Sequence, residues 1–240
     1  DGIRDVERSR GLGDVYKRQV VGAGTMGSGI AQKIAQEGFE VVLVDVSEEF
    51  VEKGVARIRD MLDEAVRRGI FTAERVGEIL GRVRPTVDRG GLADCDMVIE
   101  AVFEDPKVKG EVFSELDGIC GPECIFATNT SSLKVSDLAG ATSRPGRFVG
   151  FHYFYHPAKN RLLEVIPGER TEKEVLEESA RFGRLHGKTV IVVKDAPGFA
   201  VNRYFVPWLN EATRILEEGL ADCATVDGAA KRAFGIGMGP

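Results

Sequence analysis

The chain has 240 residues and a formal net charge of −6, from 32 Lys+Arg against 38 Asp+Glu, with 43% hydrophobic and 29% charged residues. That is material for one large domain or two modest ones with a substantial core, and it excludes a disordered chain. The acidic balance argues against nucleic acid as a partner, since non-specific binding needs a basic surface.

Residues 1–19 (DGIRDVERSRGLGDVYKRQ) are charged, follow no helical or strand period, and lack the features of a signal or transit peptide. They run into Val20-Val21-Gly22-Ala23-Gly24, where a buried parallel strand should end. Such strands are continuous apolar runs, yet Lys17-Arg18-Gln19 occupies the place of the start. The favoured reading is a non-native leader left by cloning, assembly or sequencing; a natural solvated extension is the alternative.

From Val20 the pattern alternates strand and helix. Val20–Val21 ends a strand, Thr25–Glu37 is helical, and Glu40–Val44 is a second strand closed by Asp45. Ser47 is placed to cap a long helix to about Arg68, and Thr72–Gly81 turns back as the second arm of an inserted helical hairpin. Arg82–Thr86 reads as a weak strand, and Met97–Glu100 and Ile125–Thr128 as short buried strands flanking a helix over Pro106–Cys120. Strands follow at Phe148–Phe154 and Leu162–Ile166, then a helix over Glu172–His186 and the strand Thr189–Val193. Repeated β-α-β units imply an α/β fold with a mainly parallel sheet covered by helices on both faces. Beyond Lys194-Asp195-Ala196-Pro197-Gly198 no strand is expected, only helices at Gly198–Gly219 and Thr225–Phe234. The expected organisation is therefore a leader at 1–19, a dinucleotide-binding domain at 20–195, and part of a helical C-terminal domain at 196–240. That last segment is short for an independent core, so the second domain reads as cut short.

Glycine numbers 29 with no Gly-X-Y period, which suggests tight turns and close backbone approaches. Three of these glycines form the fingerprint Gly22-Ala23-Gly24-Thr25-Met26-Gly27, a G-x-G-x-x-G between a strand and a helix. Asp45 follows Gly24 by 21 residues, at the end of the next strand. This is the context a Rossmann-type dinucleotide site requires: Gly22 for the turn, Gly24 for approach of the pyrophosphate, Gly27 for helix–strand packing. The helix N-terminus at Thr25 and Met26 offers N–H groups to the phosphates. Asp45 would accept hydrogen bonds from the ribose hydroxyls, and no arginine follows it, so the cofactor expected is NAD.

The chain has three histidines. His152, in Gly150-Phe151-His152-Tyr153-Phe154, and Glu164, in Leu162-Leu163-Glu164-Val165-Ile166, are ionisable residues inside apolar strands. Buried charge is costly unless paired, so these two residues suit each other. A carboxylate bonded to one imidazole nitrogen raises the basicity of the other and yields a general base. An inert core pair is the alternative. The four cysteines, Cys95, Cys120, Cys124 and Cys223, form no C-x-x-C pair and have no histidine at zinc-ligand spacing. They read as reduced thiols of a cytoplasmic protein with no metal site. No stretch reaches about 18 consecutive apolar residues, so membrane insertion is not expected.

Five ordered stretches resemble the 3-hydroxyacyl-CoA dehydrogenase family: GAGTMGSGIAQ (22–32), VIEAVFEDPKVK (98–109), ATNTSSL (127–133), GFH…LLEVIPG (150–168) and KDAPGFAVNR…NEATRILEEG (194–219). The resemblance implies a Rossmann-type domain joined to a helical domain that dimerises, so that the full-length protein would be a homodimer. It implies NAD-dependent oxidation of L-3-hydroxyacyl-CoA to 3-ketoacyl-CoA, a step of fatty-acid β-oxidation. It assigns His152 as the base and Glu164 as its partner, Ser131 as a contact to substrate and nicotinamide, and Asn202 as a substrate contact. Glu104 and Lys109 fall at cofactor-side positions. On the residues alone, Ser132 could cap a helix with Ser131 merely its neighbour, and Asn202 could cap another.

Many members of that family carry an asparagine three residues after the histidine, where this chain has Tyr155, so the nicotinamide-side contact differs. His156 is expected to be solvated in the following loop, and His186 to act as a helix C-terminal cation. The resemblance implies that the hairpin meets CoA. From Lys53 to Arg84 it carries eight Lys/Arg against five Asp/Glu, and Lys53, Arg57 and Arg68 are the phosphate candidates. A charge-laced solvated face explains the same residues. The competing functions are a free-acid dehydrogenase, which would use a catalytic lysine, a crystallin-like NAD-binding protein without turnover, and a segment of a multifunctional fatty-acid oxidation enzyme.

Overall fold

The structure is a computed structural model that describes residues 17–240. Eight strands form one sheet: β1 (Arg18–Val21), β2 (Val41–Val44), β3 (Val83–Thr86), β4 (Met97–Glu100), β5 (Ile125–Thr128), β6 (Phe148–Tyr153), β7 (Leu162–Pro167) and β8 (Thr189–Val192). Their order across the sheet is β3-β2-β1-β4-β5-β6-β7-β8. Every neighbouring pair is parallel except β6 and β7, which run antiparallel.

The helices of this unit are α1 (Thr25–Gln36), α2 (Glu48–Arg67), α3 (Ala73–Gly81), α4 (Pro106–Ile119), α5 (Val135–Ala139) and α6 (Lys173–Leu185). Because side chains alternate along a strand, the sheet buries two faces. Val20, Ile99, Ala127 and Val149 meet Ile30 and Ile34 of α1 in one core. On the other face, Phe113 of α4 contacts Phe126 and Phe148, with ring centroids 5.8 and 4.6 Å apart. The inserted hairpin forms as its caps predict. Ser47 Oγ accepts from Phe50 N at the start of α2, and Thr72 Oγ1 accepts from Arg75 N at the start of α3. Val51, Gly54, Ile58 and Leu62 form the buried stripe of α2, and a side chain at Gly54 would strike Ala23 at 2.8 Å, so glycine brings this helix against the turn after β1.

The expected leader boundary falls inside β1. Arg18 and Gln19 are strand residues, 4% and 2% exposed, in register with Val41 and Val42 on one side and Met97 and Val98 on the other. The Arg18 guanidinium lies over the Phe39 ring at 4.0 Å, and burial lowers its pKa to about 10. Gln19 Nε2 donates to Gly91 O at 3.3 Å, while its Oε1 is buried without a hydrogen-bond partner among the described residues. The strand ladder thus imposes extended structure on polar residues whose own pattern did not announce it. Residues 1–16 of the expected leader lie outside the described residues.

The fold divides after Asp195. The second unit, Ala196–Pro240, holds α7 (Val201–Glu217) and α8 (Cys223–Phe234). α7 begins three residues later than its sequence suggests, because Gly198 and Phe199 adopt positive φ and form a turn. α8 begins two residues earlier, where the Asp222 carboxylate accepts from Thr225 N at 2.8 Å. This unit exposes Tyr204, Val206, Leu220 and Phe234. No helix among the described residues is long and apolar enough to cross a membrane.

Candidate active site

The glycine turn lies at the carboxyl end of β1. Gly22 has φ +104°, and a Cβ there would sit 2.5 Å from Ala101 O, so only glycine fits. A Cβ at Gly27 would collide with Gly22 O, which is why this position lets α1 close onto the turn. Gly24 is different: nothing lies within 4 Å of its would-be Cβ. It precedes the exposed Thr25 and the half-buried Met26, at the helix start whose first N–H groups have no intrahelical partner.

Asp45 follows β2 and holds the same turn from outside. Its Oδ2 accepts from Ala23 N at 2.6 Å and its Oδ1 from Val46 N at 2.7 Å. Arg57 of α2 donates to Ala23 O at 3.1 Å, so this hairpin arginine serves the turn. The other two hairpin candidates pair within their own helix, Lys53 with Glu49 at 2.5 Å and Arg68 with Glu64 at 2.6 Å.

At the carboxyl ends of β4 and β5, carboxylates organise the next loop. Glu104 Oε1 accepts from Thr130 Oγ1 at 2.5 Å and Ser131 N at 2.7 Å, with Ser131 Oγ at 3.3 Å. Burial raises the Glu104 pKa, but these hydrogen bonds and the Lys109 charge outweigh it and hold the carboxyl below its usual value. Lys109 is fully buried beneath, 2.6 Å from Glu100 Oε1, 3.0 Å from Asn129 O and 3.4 Å from Glu104 Oε2. Glu100 also accepts from Thr128 Oγ1 and Val102 N. Glu100 escaped the sequence reading although its signal, a carboxylate in an apolar strand, is the one that singled out Glu164. Ser132 caps no helix. The start of α5 is capped by Asp195, whose carboxylate accepts from Val135 N, Ser136 N and Ser136 Oγ at 3.0, 2.8 and 2.6 Å.

His152 and Glu164 face each other across the antiparallel β6–β7 ladder, in direct register. His152 Nδ1 lies 2.6 Å from Glu164 Oε2, with Glu164 fully buried and His152 5% exposed. Tyr153 N donates to Asn129 Oδ1 at 3.2 Å, which ties the serine loop to the histidine strand. The loop after β6 carries Tyr155, which is exposed, and His156, which is half-buried against α1 and not solvated as expected. A Cβ on Gly29 would sit 3.0 Å from His156 Cε1 and 2.9 Å from Pro157 Cδ. Burial and the charges of Lys159 and Lys188 lower the His156 pKa. Lys188 spans this loop, donating to Pro157 O and to Asn160 O, the latter at 2.7 Å.

His186 departs from the charged helix end its sequence suggests. It is fully buried, and burial lowers its pKa to about 3, so it is no helix-terminal cation. Its Nδ1–H donates to Phe182 O at 2.7 Å, which leaves Nε2 to accept from the Tyr153 hydroxyl at 2.9 Å. Asn202 lies in the first turn of α7, past the Ala200 cap position, so it is not the cap of that helix.

Residues 17–196 match the NAD binding domain of 3-hydroxyacyl-CoA dehydrogenase, and residues 198–240 match the C-terminal domain of the same family. A fatty acid oxidation complex subunit alpha of Psychrobacter cryohalolentis is 38% identical over 98% of this chain, which spans 32% of that protein. A Deinococcus radiodurans protein named "Probable 3-hydroxybutyryl-CoA dehydrogenase" is 39% identical over 92% of this chain and 79% of its own length. Among solved structures, the (S)-3-hydroxybutyryl-CoA dehydrogenase of Ralstonia eutropha superposes with a TM-score of 0.89 at 37% identity, covering 95% of this chain and 80% of the other. The chain therefore belongs to the 3-hydroxyacyl-CoA dehydrogenase family, with NAD as the cofactor of its first domain.

Proposed function

We propose that this chain carries the site for NAD-dependent oxidation of an L-3-hydroxyacyl-CoA to the 3-ketoacyl-CoA. The observation that carries the reading is the 2.6 Å contact between His152 Nδ1 and Glu164 Oε2, at the sheet edge that also bears the glycine turn. The residues fit the dinucleotide: Gly24 presents an uncrowded backbone, Thr25 and Met26 open a helix, and the Asp45 carboxylate closes β2 where a ribose would lie. The nicotinamide supplies the hydride acceptor when NAD is bound.

His152 takes the proton of the 3-hydroxyl on Nε2. Glu164 holds Nδ1–H, fixes the tautomer and stabilises the imidazolium that forms. Ser131, held by Glu104, and Asn202 orient substrate oxygens, and such positioning supplies much of the rate. Glu104 and Lys109 shape the cofactor side of the site, Lys109 from beneath through the two glutamates it pairs. The domain at 20–195 binds cofactor and the segment 196–240 serves substrate binding and assembly. Exposed Tyr204, Val206, Leu220 and Phe234 support a homodimer built on the helical unit. The test is His152→Gln in the full-length protein, assayed by NAD reduction with 3-hydroxybutyryl-CoA. A loss of about 10²–10⁴ in kcat is expected, and a rate near wild type overturns the assignment.

The similarity to fatty acid oxidation complex alpha subunits along 98% of this chain favours a second reading, in which the same site works within a multifunctional enzyme. Sequencing the gene on both sides of these 240 residues distinguishes the two.

A further inference from the structure

Three cysteines that look scattered in sequence meet at one point of the fold. Cys95 precedes β4, Cys120 ends α4 and Cys124 precedes β5, so the cluster sits at the amino-terminal edge of the sheet. The glycine turn and the Ser131 loop occupy the opposite edge, and the mechanism uses none of these thiols. Cys95 Sγ lies 3.4 Å from Cys124 Sγ and 3.7 Å from Cys120 Sγ, and all three sulfurs lie within 4.8 Å of one another. All three residues are buried.

We propose that Cys95, Cys120 and Cys124 form a three-thiolate site for a soft, thiophilic cation that accepts three ligands, of the cuprous type. Spacing supports it. At a metal–thiolate length of about 2.3 Å, ligand sulfurs lie about 3.8 Å apart in tetrahedral and about 4.0 Å apart in trigonal geometry. The 3.7 and 3.4 Å separations need to open by about 0.1–0.6 Å, and the third lies within 4.8 Å. Ligand chemistry supports it too, since thiolates select cuprous ion, zinc or iron–sulfur clusters. Closed zinc sites take four protein ligands, whereas no fourth His, Cys, Asp or Glu joins this group among the described residues. The protein thus offers three sulfur ligands, the number that a three-coordinate cuprous ion accepts.

The backbone around the cluster is already fixed. Cys95 N donates to Leu92 O, Gly121 N to Ala93 O and Cys124 N to Gly121 O, at 3.1, 3.0 and 3.1 Å. Arg144 brings positive charge to the same turn, donating to Asp117 O at 2.8 Å and Cys120 O at 3.2 Å, and pairing with the Asp117 carboxylate at 2.7 Å. Binding releases the thiol protons to solvent and transfers no electron, so affinity rises with pH.

The test is anaerobic titration of the 240-residue chain with cuprous ion against a chromophoric cuprous chelator, with NAD binding as the check of folding. One equivalent retained per chain is expected, together with a rise in Tm, because a ligand selective for the native state stabilises it. Cys95→Ser and Cys124→Ser should each weaken retention about 100-fold while still binding NAD. Cys223→Ser, which alters an exposed thiol outside the cluster, should retain the ion as wild type does. Where a serine variant fails to bind NAD, Cys120→Ala takes its place with the same expectation. No retained equivalent in the wild type, retention undiminished in the cluster variants, or a Cys95–Cys124 disulfide in the freshly isolated chain overturns the proposal.

Discussion

Lys109 Nζ lies 2.6 Å from Glu100 Oε1, and both side chains are fully buried. The pair joins α4 to β4, and through Asn129 O and Glu104 it also sets the loop that bears Ser131. Lys109→Met leaves the Glu100 carboxylate buried without its cation. A loss of about 3–5 kcal/mol is expected in urea denaturation. The double variant Lys109→Met with Glu100→Gln should recover a large part of it, since the uncompensated charge is then gone. Equal loss in the single and double variants would show that the packing of the lysine stem, not the charge, is what matters.

The cofactor turn separates fold from binding in two neighbouring glycines. Gly27→Ala forces a methyl group into Gly22 O and should lower Tm and NAD affinity together. Gly24→Ala meets nothing within 4 Å and keeps an allowed φ of −66°, so Tm should barely move. NAD affinity should nevertheless fall about ten-fold or more, because in the proposed site the added methyl would stand where the pyrophosphate approaches. Calorimetric titration with NAD beside a thermal melt reads both.

His186 gives the fold a mild acid sensitivity. Its folded pKa of about 3 lies below the ordinary histidine value, so the unfolded chain takes up a proton there that the native chain refuses. Stability from this group is complete above about pH 7 and is lost as pH falls through about 6.5, roughly 2 kcal/mol by pH 5. His186→Gln should lower stability at pH 7, since the Tyr153 bond is altered, yet flatten the slope between pH 6.5 and 5. Urea midpoints across that window measure it, and an unchanged slope would assign the sensitivity to other groups.

Gln19 stands in a fully buried parallel strand with its Oε1 lacking a partner among the described residues. Gln19→Ile removes that cost and should stabilise the chain by about 1–2 kcal/mol in urea denaturation. Its amide donates to exposed Gly91 O, which water can satisfy in the variant. A destabilised Gln19→Ile chain would mean that the amide contact outweighs apolar burial.

Much of this architecture is legible in sequence because parallel strands advertise themselves as apolar runs. Met97–Glu100 and Ile125–Thr128 have the bounds their residues imply. The His152–Glu164 contact is legible for a different reason, since an ionisable residue in each of two apolar strands asks for a partner. What escaped depends on tertiary closure. Gln19 takes strand geometry from β2 and β4 on either side of it. Asp195 caps a helix that begins 60 residues earlier in the chain. His186 has the sequence look of a helix-end cation, and only its burial beside Tyr153 makes it neutral. The cysteines show no motif because spacing along the chain does not report which strand ends adjoin.

The single antiparallel pairing of the sheet frees the site from its own connection. Since β7 runs antiparallel to β6, the His152–Glu164 register is set by the ladder between them. The segment joining them, 154–161, lies beyond the strand ends and takes no part in that ladder. Insertions and substitutions there, Tyr155 among them, can vary while the His152–Glu164 contact stays in place. On the proposed function, chemistry and selectivity would thereby be separately variable, one written in the sheet and the other in a loop.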